Sequence, residues 1–229
     1  MALATYKDLC IDAVDAHRLG RFYAIALGLE FHEEGRDAVL RGPTKAHTVW
    51  INTVPEGKSA KNRVHIDVHT GPGDHGVAEL VAAGATIVND TDFRWIAMQD
   101  PEGQEFCAFV RETPPDYRLY EVCIDTAAGE PTIAAAQWWA GVFGVEAETE
   151  DGKEWWWVEN VPGVPFDGFS FVDVPEPKTV KNRVHWDVVG ETAALIAAGA
   201  TMVLPKGDGR GWDVLADPDG NEFCAFAPT

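Results

Sequence analysis

A stretch of eight residues decides the fold of this chain: Lys61-Asn-Arg-Val-His-Ile-Asp-Val68. It returns as Lys181-Asn-Arg-Val-His-Trp-Asp-Val188, with one substitution at the sixth place. Three further blocks return in the same order at nearly the same spacing, namely 54–56 at 174–176, 82–86 at 197–201 and 100–109 at 217–226. Ordered repeats of this kind indicate a duplicated unit. The Pro-rich segment 112–116 separates the copies, so we predict two domains, residues 1–112 and 117–229.

The composition excludes several classes of protein. The chain carries 37 acidic and 18 basic side chains, and its formal net charge of −19 repels nucleic acid. No apolar run approaches the roughly 20 residues of a membrane helix, and Lys7 and Asp8 come too early for a secretory signal. The four cysteines form no CxxC pair, so we expect free thiols. We therefore expect a cytoplasmic monomer or homodimer whose partner is a small-molecule ligand, not nucleic acid or a membrane.

The hydrophobic pattern predicts the same order of elements in each copy. In the first copy a strand at 6–13 precedes a helix from about Asp15, which Gly28 ends. Short strands follow, ending at 48–54, with 168–174 as the counterpart. A second strand at 63–69 then precedes a short helix at about 75–83, strands at 86–89 and 95–99, a turn at 100–103 and a last strand at 105–110. Each copy is thus an α+β domain of two strand–helix–three-strand modules, and we expect the modules to pair within a domain.

Alternation along three strands of each copy predicts one polar face. Side chains two residues apart share a side of a strand. On one side of the predicted strands of the first copy lie Asp8, Cys10 and Asp12, then Arg63, His65, Asp67 and His69, then Glu105, Cys107 and Phe109. The second copy repeats this face with Glu121, Cys123 and Asp125, then Arg183, His185 and Asp187, then Glu222, Cys224 and Phe226. We predict a candidate site in each half, because enclosed charges must be paired, ligated or wetted.

These motifs carry a family resemblance that spans nearly the whole chain. Segments Ala26-Leu-Gly-Leu-Glu30, Asn62-Arg-Val-His-Ile-Asp67, Asp100-Pro-Glu-Gly-Gln-Glu105 and Asp217-Pro-Asp-Gly-Asn-Glu222 resemble the glyoxalase-like branch of the glyoxalase/bleomycin resistance protein/dioxygenase (vicinal oxygen chelate) superfamily. The resemblance implies two tandem domains of paired modules that curl into curved, half-open barrels around a ligand.

The resemblance also implies a metal site in each copy. Metal-using members place ligands on the first strand, on the first strand of the second module and on the last strand. The matching residues here are Asp8, His65 and Cys107 in one copy and Glu121, His185 and Cys224 in the other. Because Cys replaces the family's Glu, zinc is the most compatible divalent metal. The alternative is no cofactor, with a buried hydrogen-bonded cluster formed by Asp12, Arg63, His65 and Asp67. Cys107 and Cys224 would then be small core residues.

Further residues are candidates for ligand binding. Trp50, Trp95, Trp156 and Trp212 are predicted to supply apolar walls for an aromatic or cationic ligand. Arg63 and Arg183 are expected either to grip a ligand anion or to pair with neighbouring carboxylates. His65, Asp67, His185 and Asp187 complete the predicted binding set. The sequence assigns no catalytic residue.

Three functions fit this sequence. One is a metal-assisted lyase, isomerase or dioxygenase that acts on small oxygenated substrates. Another is a metal-free protein that sequesters a drug-like or natural-product ligand, as bleomycin-resistance relatives do. The third is a structural tandem with a filled pocket. Fold resemblance alone does not choose among them.

Overall fold

The computed structural model describes residues 2–73, 76–126 and 132–228, and it confirms an α+β fold with a similar order of elements in the two copies. The first copy contains β1 (Ala4–Ala13), α1 (Ala16–Leu27), β2 (Glu30–Glu34), β3 (Asp37–Arg41), β4 (Val49–Thr53), β5 (Val64–Thr70), α2 (Val77–Ala82), β6 (Thr86–Asn89), β7 (Ile96–Gln99) and β8 (Glu105–Val110). The second contains β9 (Leu119–Thr126), α3 (Thr132–Phe143), β10 (Trp156–Glu159), β11 (Gly168–Asp173), β12 (Val184–Gly190), α4 (Thr192–Ala197), β13 (Thr201–Leu204), β14 (Asp213–Ala216) and β15 (Glu222–Phe226).

Helix α1 shows why the predicted element boundaries are accurate. The Asp15 carboxylate caps the helix by accepting a hydrogen bond from the backbone N–H of Arg18 at 3.0 Å. Gly28 ends it in the left-handed conformation, with a φ of 69°. A Cβ atom on Gly28 would lie 2.1 Å from the carbonyl oxygen of Asp116. Glycine is therefore also needed at this position because the segment between the copies passes close to its backbone. The predicted start of the second helix, at about residue 75, lies outside the described residues.

One module departs from the predicted order. After α3 the structure has β10 and β11, and a single bridge between Glu148 and Trp157 stands where the additional strand was expected. The other three modules each have three strands after the helix. The pattern of strand–helix–three strands therefore holds fully for the described part of three modules and in shortened form for the first module of the second copy.

The sheets correct the expectation that the modules pair within a domain. One sheet has the order β13-β14-β15-β12-β1-β4-β3-β2, and the other has β10-β11-β9-β5-β8-β7-β6. Each sheet therefore joins the first module of one copy to the second module of the other. The central contacts are antiparallel, with Leu9 opposite Trp186 in β1–β12 and Val64 opposite Ile124 in β5–β9. These four side chains are at most 2% exposed, so the exchange buries apolar surface at the centre of both sheets.

The helices cover one face of the sheets and leave the other face for polar side chains. The core contains the alternate residues Leu9 and Ile11 of β1 and Val64, Ile66 and Val68 of β5. It is densest beside α3, where Trp139 contacts Phe143, Trp186 and Phe223. No helix in the described part of the chain is long and apolar enough to span a bilayer.

Candidate functional site

Polar side chains of β5, β8 and β9 meet on one sheet, in a group that we call the β5–β9 cluster: His65, Asp67, Cys107, Glu121 and Cys123. Strand pairing brings these side chains together, because Asp67 lies opposite both Cys107 and Glu121. His65 likewise lies opposite Cys123. The alternate residues of β5 are core side chains, as the period of a half-buried strand predicts. The cluster therefore lies on the sheet face opposite the helices.

The donor atoms of this cluster are close enough to share one ion. His65 Nε2 lies 3.8 Å from Cys107 Sγ and 3.5 Å from Asp67 Oδ1. The three ligand atoms lie within 4.8 Å of one another. In a tetrahedral zinc site, metal–ligand distances of about 2.0–2.3 Å put neighbouring ligand atoms roughly 3.3–3.8 Å apart. The spacing in the protein fits that geometry.

Two buried polar atoms in the same region have no hydrogen-bond partner in the described part of the chain, although buried polar atoms in proteins normally have one. Asp67 Oδ1 and Ser170 Oγ accept or donate no hydrogen bond within the described residues. Their residues are each 4% exposed, and Ser170 lies beside Cys123 on β11. Because leaving a buried polar atom unpaired costs about 1–3 kcal/mol, such atoms point to a ligand or water at the site.

Burial also sets the protonation of the cluster. It lowers the pKa of His65, so the imidazole is neutral near pH 7 and can act as a ligand. It raises the pKa of Asp67, and the nearby negative charge of Glu121 raises it further. The pKa values of Glu121 and Cys107 are also raised, chiefly by burial. These carboxyl and thiol groups therefore hold their protons to higher pH than exposed groups do, and the pKa of Glu121 is raised to about 7.

The second sheet repeats the arrangement in a group that we call the β1–β12 cluster: Asp8, Cys10, His185, Asp187 and Cys224. His185 Nε2 lies 3.6 Å from Cys224 Sγ and 3.9 Å from Asp187 Oδ1. The Cys10 thiol donates to Asp187 Oδ1 over 3.7 Å. Burial lowers the pKa of His185 to about 4, so this imidazole is also neutral near pH 7.

The structure regroups the predicted ligand sets. Asp8 lies with His185 and Cys224, and Glu121 lies with His65 and Cys107, because the first strand of each copy pairs with the second module of the other. The two predicted sets therefore exchange their first members. Local alternation predicted the faces correctly, but it carries no information on which strands pair.

A β-bulge brings one more side chain to each cluster. The register of β1–β12 shifts between Tyr6 and Asp8, and that of β5–β9 shifts opposite Leu119 and Glu121. Lys7 and Tyr120 occupy these bulges and face the clusters, since Lys7 contacts Asp8 and Tyr120 packs against Phe109. Strict alternation along the strand would place both on the opposite face. No sequence signal marks such a bulge, because it arises from pairing with a distant strand.

Aromatic walls flank the two clusters unequally. Beside the β5–β9 cluster, Trp95 stacks on Phe93 and on Phe109, with ring centroids 5.0 and 5.7 Å apart. Beside the β1–β12 cluster, Trp212 stacks on Phe226 at 5.1 Å, and Trp50 neighbours Cys10. The first copy therefore contributes a row of three stacked rings, and the second copy a pair.

One predicted wall residue lies on the wrong face. Trp156 packs against the hydrophobic core, opposite the core residue Phe171. Its neighbour Trp157 lies opposite Ser170, on the face of the β5–β9 cluster. Three consecutive tryptophans leave the register open in the sequence, and the pairing of β10 with β11 sets it.

Arg63 and Arg183 join the two copies and contact carboxylates, which is the second of the two roles predicted for them. Arg63 Nη1 lies 3.8 Å from Asp125 Oδ2. Arg183 Nη2 lies 3.3 Å from Glu102 Oε2. Arg183 donates to the carbonyl oxygens of Glu56 and Asp12 at 2.7 and 3.1 Å. Arg63 donates to the carbonyl oxygen of Glu176. Both arginines are less than 10% exposed. The repeated Lys-Asn-Arg segment is thus explained by packing between the copies, around a cavity of about 60 Å³ that the two segments line.

The repeated Asp-Pro turn is also structural. Asp100 Oδ1 accepts hydrogen bonds from the backbone N–H groups of Glu102 and Gln104, at 2.8 and 2.9 Å. Asp217 holds its own turn in the same way through Asp219 and Asn221. Burial raises the pKa of both aspartates to about 6. These motifs identify the family but do not form the site.

The chain was compared with proteins of known sequence and structure. Glyoxalase I from Zea mays has a similar fold, with 13% identity, a TM-score of 0.62, and coverage of 97% of this chain and 92% of that one. A proposed dioxygenase from Bacillus subtilis strain 168 shows 12% identity, a TM-score of 0.64, and coverage of 99% and 86%. No curated protein matches the sequence. The model of the glyoxalase-like domain matches twice, at residues 8–109 and 121–226. The chain therefore belongs to the glyoxalase-like domain family, with one such domain in each half.

Proposed function

We propose that this chain is a metal-assisted enzyme that acts on a small molecule with adjacent oxygen atoms, as a lyase or isomerase. The convergence of an imidazole nitrogen, a thiol sulfur and an unpartnered, buried carboxylate oxygen in the β5–β9 cluster carries this proposal. Such a donor set fits zinc better than magnesium or manganese, because thiolate and imidazole are soft ligands.

The residues that would hold the metal are His65, Asp67 and Cys107. Asp125 belongs to a second possible donor group with His65 and Cys123, but it already forms ion pairs with Lys61 and Arg63. When bound, zinc would polarise an oxygen atom of the substrate as a Lewis acid. Zinc has no redox chemistry, and for this reason the donor set favours proton transfer over oxygenation.

Glu121 is placed to move a proton in this reaction. Its carboxyl group lies opposite Asp67 across the strand pair, and burial raises its pKa. A carboxyl group that titrates closer to neutral pH can accept a proton and return it, as a general base and acid must. The side chain of His65 keeps 14% of its surface exposed, so the cluster is not sealed from solvent.

Metal binding is the first test of this proposal. The protein is stripped with chelator and titrated calorimetrically with zinc, and we expect saturable binding that His65→Ala removes. His32→Ala is the matched control, because His32 lies on β2 with a side chain 45% exposed, outside both clusters. Absence of binding in the unmodified protein would contradict the proposal.

Proton transfer is tested separately. The zinc-loaded protein is incubated in D₂O with 2-hydroxyketones, and deuterium uptake at the carbon next to the oxygen atoms is followed by NMR. We expect uptake that depends on zinc and falls at least about tenfold in Glu121→Gln, in line with the contribution of a general base. Uptake that is equal in Glu121→Gln would remove Glu121 from the proposed role.

A second candidate function rests on the aromatic row. Phe93 is 51% exposed and stacks almost parallel to Trp95, with an interplanar angle of 6°. The Arg111 guanidinium lies 5.4 Å from the Phe109 ring at the end of the row. An exposed stack of this kind favours binding of a flat aromatic ligand without turnover. Quenching of Trp95 fluorescence by such ligands in metal-free protein, lost in Phe93→Ala, would favour this function.

A further inference from the structure

The two clusters differ in the charge that faces their paired carboxylates. In the β1–β12 cluster, Lys7 Nζ lies 2.6 Å from Asp8 Oδ2 and 3.5 Å from Asp187 Oδ2. The side chains of the two aspartates are 7% and 5% exposed. One ammonium group therefore bridges both buried carboxylates, and its Nζ also lies over the ring of Phe226, 4.1 Å from the centroid.

The β5–β9 cluster has no such cation. Asp67 and Glu121 occupy the places of Asp187 and Asp8, and Tyr120 occupies the bulge that Lys7 fills in the other sheet. The Tyr120 ring packs against Phe109 and His69, with centroids 5.0 and 4.6 Å away. Within the described chain, no Lys or Arg nitrogen comes within 4.0 Å of Asp67 or Glu121.

This difference decides which cluster needs an external cation. A buried pair of carboxylates is stable only if a proton, a basic side chain or a metal balances it. Lys7 supplies that charge in the β1–β12 cluster and engages Asp187 Oδ2, while the Cys10 thiol engages Oδ1. Each cluster has one buried carboxylate oxygen without a hydrogen-bond partner among the described residues, Asp67 Oδ1 in the β5–β9 cluster and Asp8 Oδ1 in the β1–β12 cluster. The contrast between the clusters therefore rests on the ammonium group of Lys7. A divalent ion entering beside Lys7 would instead meet like charge.

We infer that the chain binds one metal ion, in the β5–β9 cluster, and that Lys7 is a built-in cation that keeps the β1–β12 cluster free of metal. The inference rests on the proposed function for the presence of metal in the β5–β9 cluster. It adds that the two clusters, although similar in their donor groups, have different roles, and that the residue at the bulge determines which role each cluster takes.

The test is a count of zinc ions per chain in four proteins. Chelator-treated protein is titrated with zinc, and bound metal is measured by mass spectrometry after gel filtration. We expect one zinc in the unmodified chain, two in Lys7→Met and none in Tyr120→Lys, in which the new ammonium group would face Asp67 and Glu121. Lys153→Met is the matched control, because Lys153 lies on an exposed loop beside Trp155, and one zinc is expected.

The counts separate the two claims. Two zinc ions in the unmodified chain, or one zinc in both the unmodified chain and Lys7→Met, would overturn the role of Lys7. No zinc in the unmodified chain with one in Lys7→Met would support the role of Lys7 and reject the proposed function. No zinc in either protein would overturn both.

Location and folding need separate controls. With Lys7 unchanged, His65→Ala should remove the bound zinc and His185→Ala should not. The reverse result would overturn the inference. If Lys7→Met does not fold, as judged by circular dichroism and melting, Lys7→Tyr copies the natural residue of the other bulge. Two zinc ions are then expected in that variant, and a single zinc there would overturn the role of Lys7.

Discussion

The β5–β9 and β1–β12 clusters contain the same kinds of donor group in the same register, with His65 opposite Cys123 and His185 opposite Cys10, and with Glu121 in the place of Asp8. They differ at the bulge, where Tyr120 stands against Lys7, and on the neighbouring strand, where Ser170 stands against Trp50. The first difference changes the local charge and the second changes the space beside the cluster. The two clusters thus share their strand pairing and their donor groups, and they differ in charge and in neighbouring side chains at positions outside the repeated motifs.

The largest effect should appear when the two histidines are compared. We expect His65→Ala to weaken zinc binding by about 100-fold or more, because it removes a ligand, and even groups behind a ligand cost 10- to 100-fold. His185→Ala should change zinc affinity less than about threefold. Calorimetric titration of both variants makes the comparison. Equal losses would mean that the clusters are equivalent.

A second effect should be a difference in stability between variants of Asp100 and Asp217, the equivalent aspartates of the two turns. Asp100 Oδ2 accepts a hydrogen bond from the Tyr23 hydroxyl at 2.9 Å, whereas Asp217 Oδ2 accepts one from Trp139 Nε1 at 3.0 Å. An amide nitrogen in Asp100→Asn can donate to the hydroxyl, but in Asp217→Asn it faces a group that only donates. We expect Asp217→Asn to be less stable than Asp100→Asn by about 2 kcal/mol, measured by urea unfolding.

Because both aspartates have a similarly raised pKa, the effect of losing a buried charge largely cancels between these variants. A smaller cost for Asp217→Asn than for Asp100→Asn would show that Trp139 finds another acceptor. Both proteins should be measured at the same pH, since the charge contribution itself depends on pH.

The raised pKa of Asp100 predicts a pH dependence of stability. The folded state holds the proton up to a pKa of about 6, above the usual value of 3.8, so ionisation opposes folding. Stability from this group is present below about pH 4 and is lost as the pH rises through 6. Relative to the unmodified chain, Asp100→Asn should therefore gain stability between pH 4 and pH 7, on the order of 1–2 kcal/mol. A constant difference across that range would contradict the shift.

The smallest effect is expected at Ser170. Its buried hydroxyl has no hydrogen bond of normal geometry among the described residues, and its contacts with Glu121 and Cys123 offset only part of the rise in the pKa of each. Ser170→Ala should therefore change the stability of metal-free protein by no more than about 1 kcal/mol. Thermal melting of the two proteins tests this. A marked loss of stability would mean that the hydroxyl is already satisfied, for example by a bound water.

Much of the fold was predictable because its signals are local or repeated. Asp15 and Gly28 bound α1 as predicted, and the alternation through Val64, Ile66 and Val68 identified the core face of β5. His65 and His185 lie in polar clusters with Cys107 and Cys224, as the faces suggested. The metal itself, the roles of these residues and the domain boundary at 112–116 stay predictions.

Three features could not be predicted from the sequence. Trp156 and Trp157 exchange faces because the register of β10 is set by β11. Arg63 and Arg183 bind backbone carbonyl groups of the opposite copy, which no spacing within a copy reveals. Lys7 and Tyr120 reach the clusters only through bulges in pairings between strands that lie far apart in the chain.

The sequence by itself determined the duplication, the order of elements and the two faces of each strand, because these follow from repeated motifs and from the fixed geometry of the backbone. Only the tertiary structure decided which modules share a sheet, and therefore that Glu121 accompanies His65 and Asp8 accompanies His185. The physical reason is that strand pairing depends on the total burial and hydrogen bonding between two strands that lie far apart in the chain. The sequence of one strand therefore does not determine its partner.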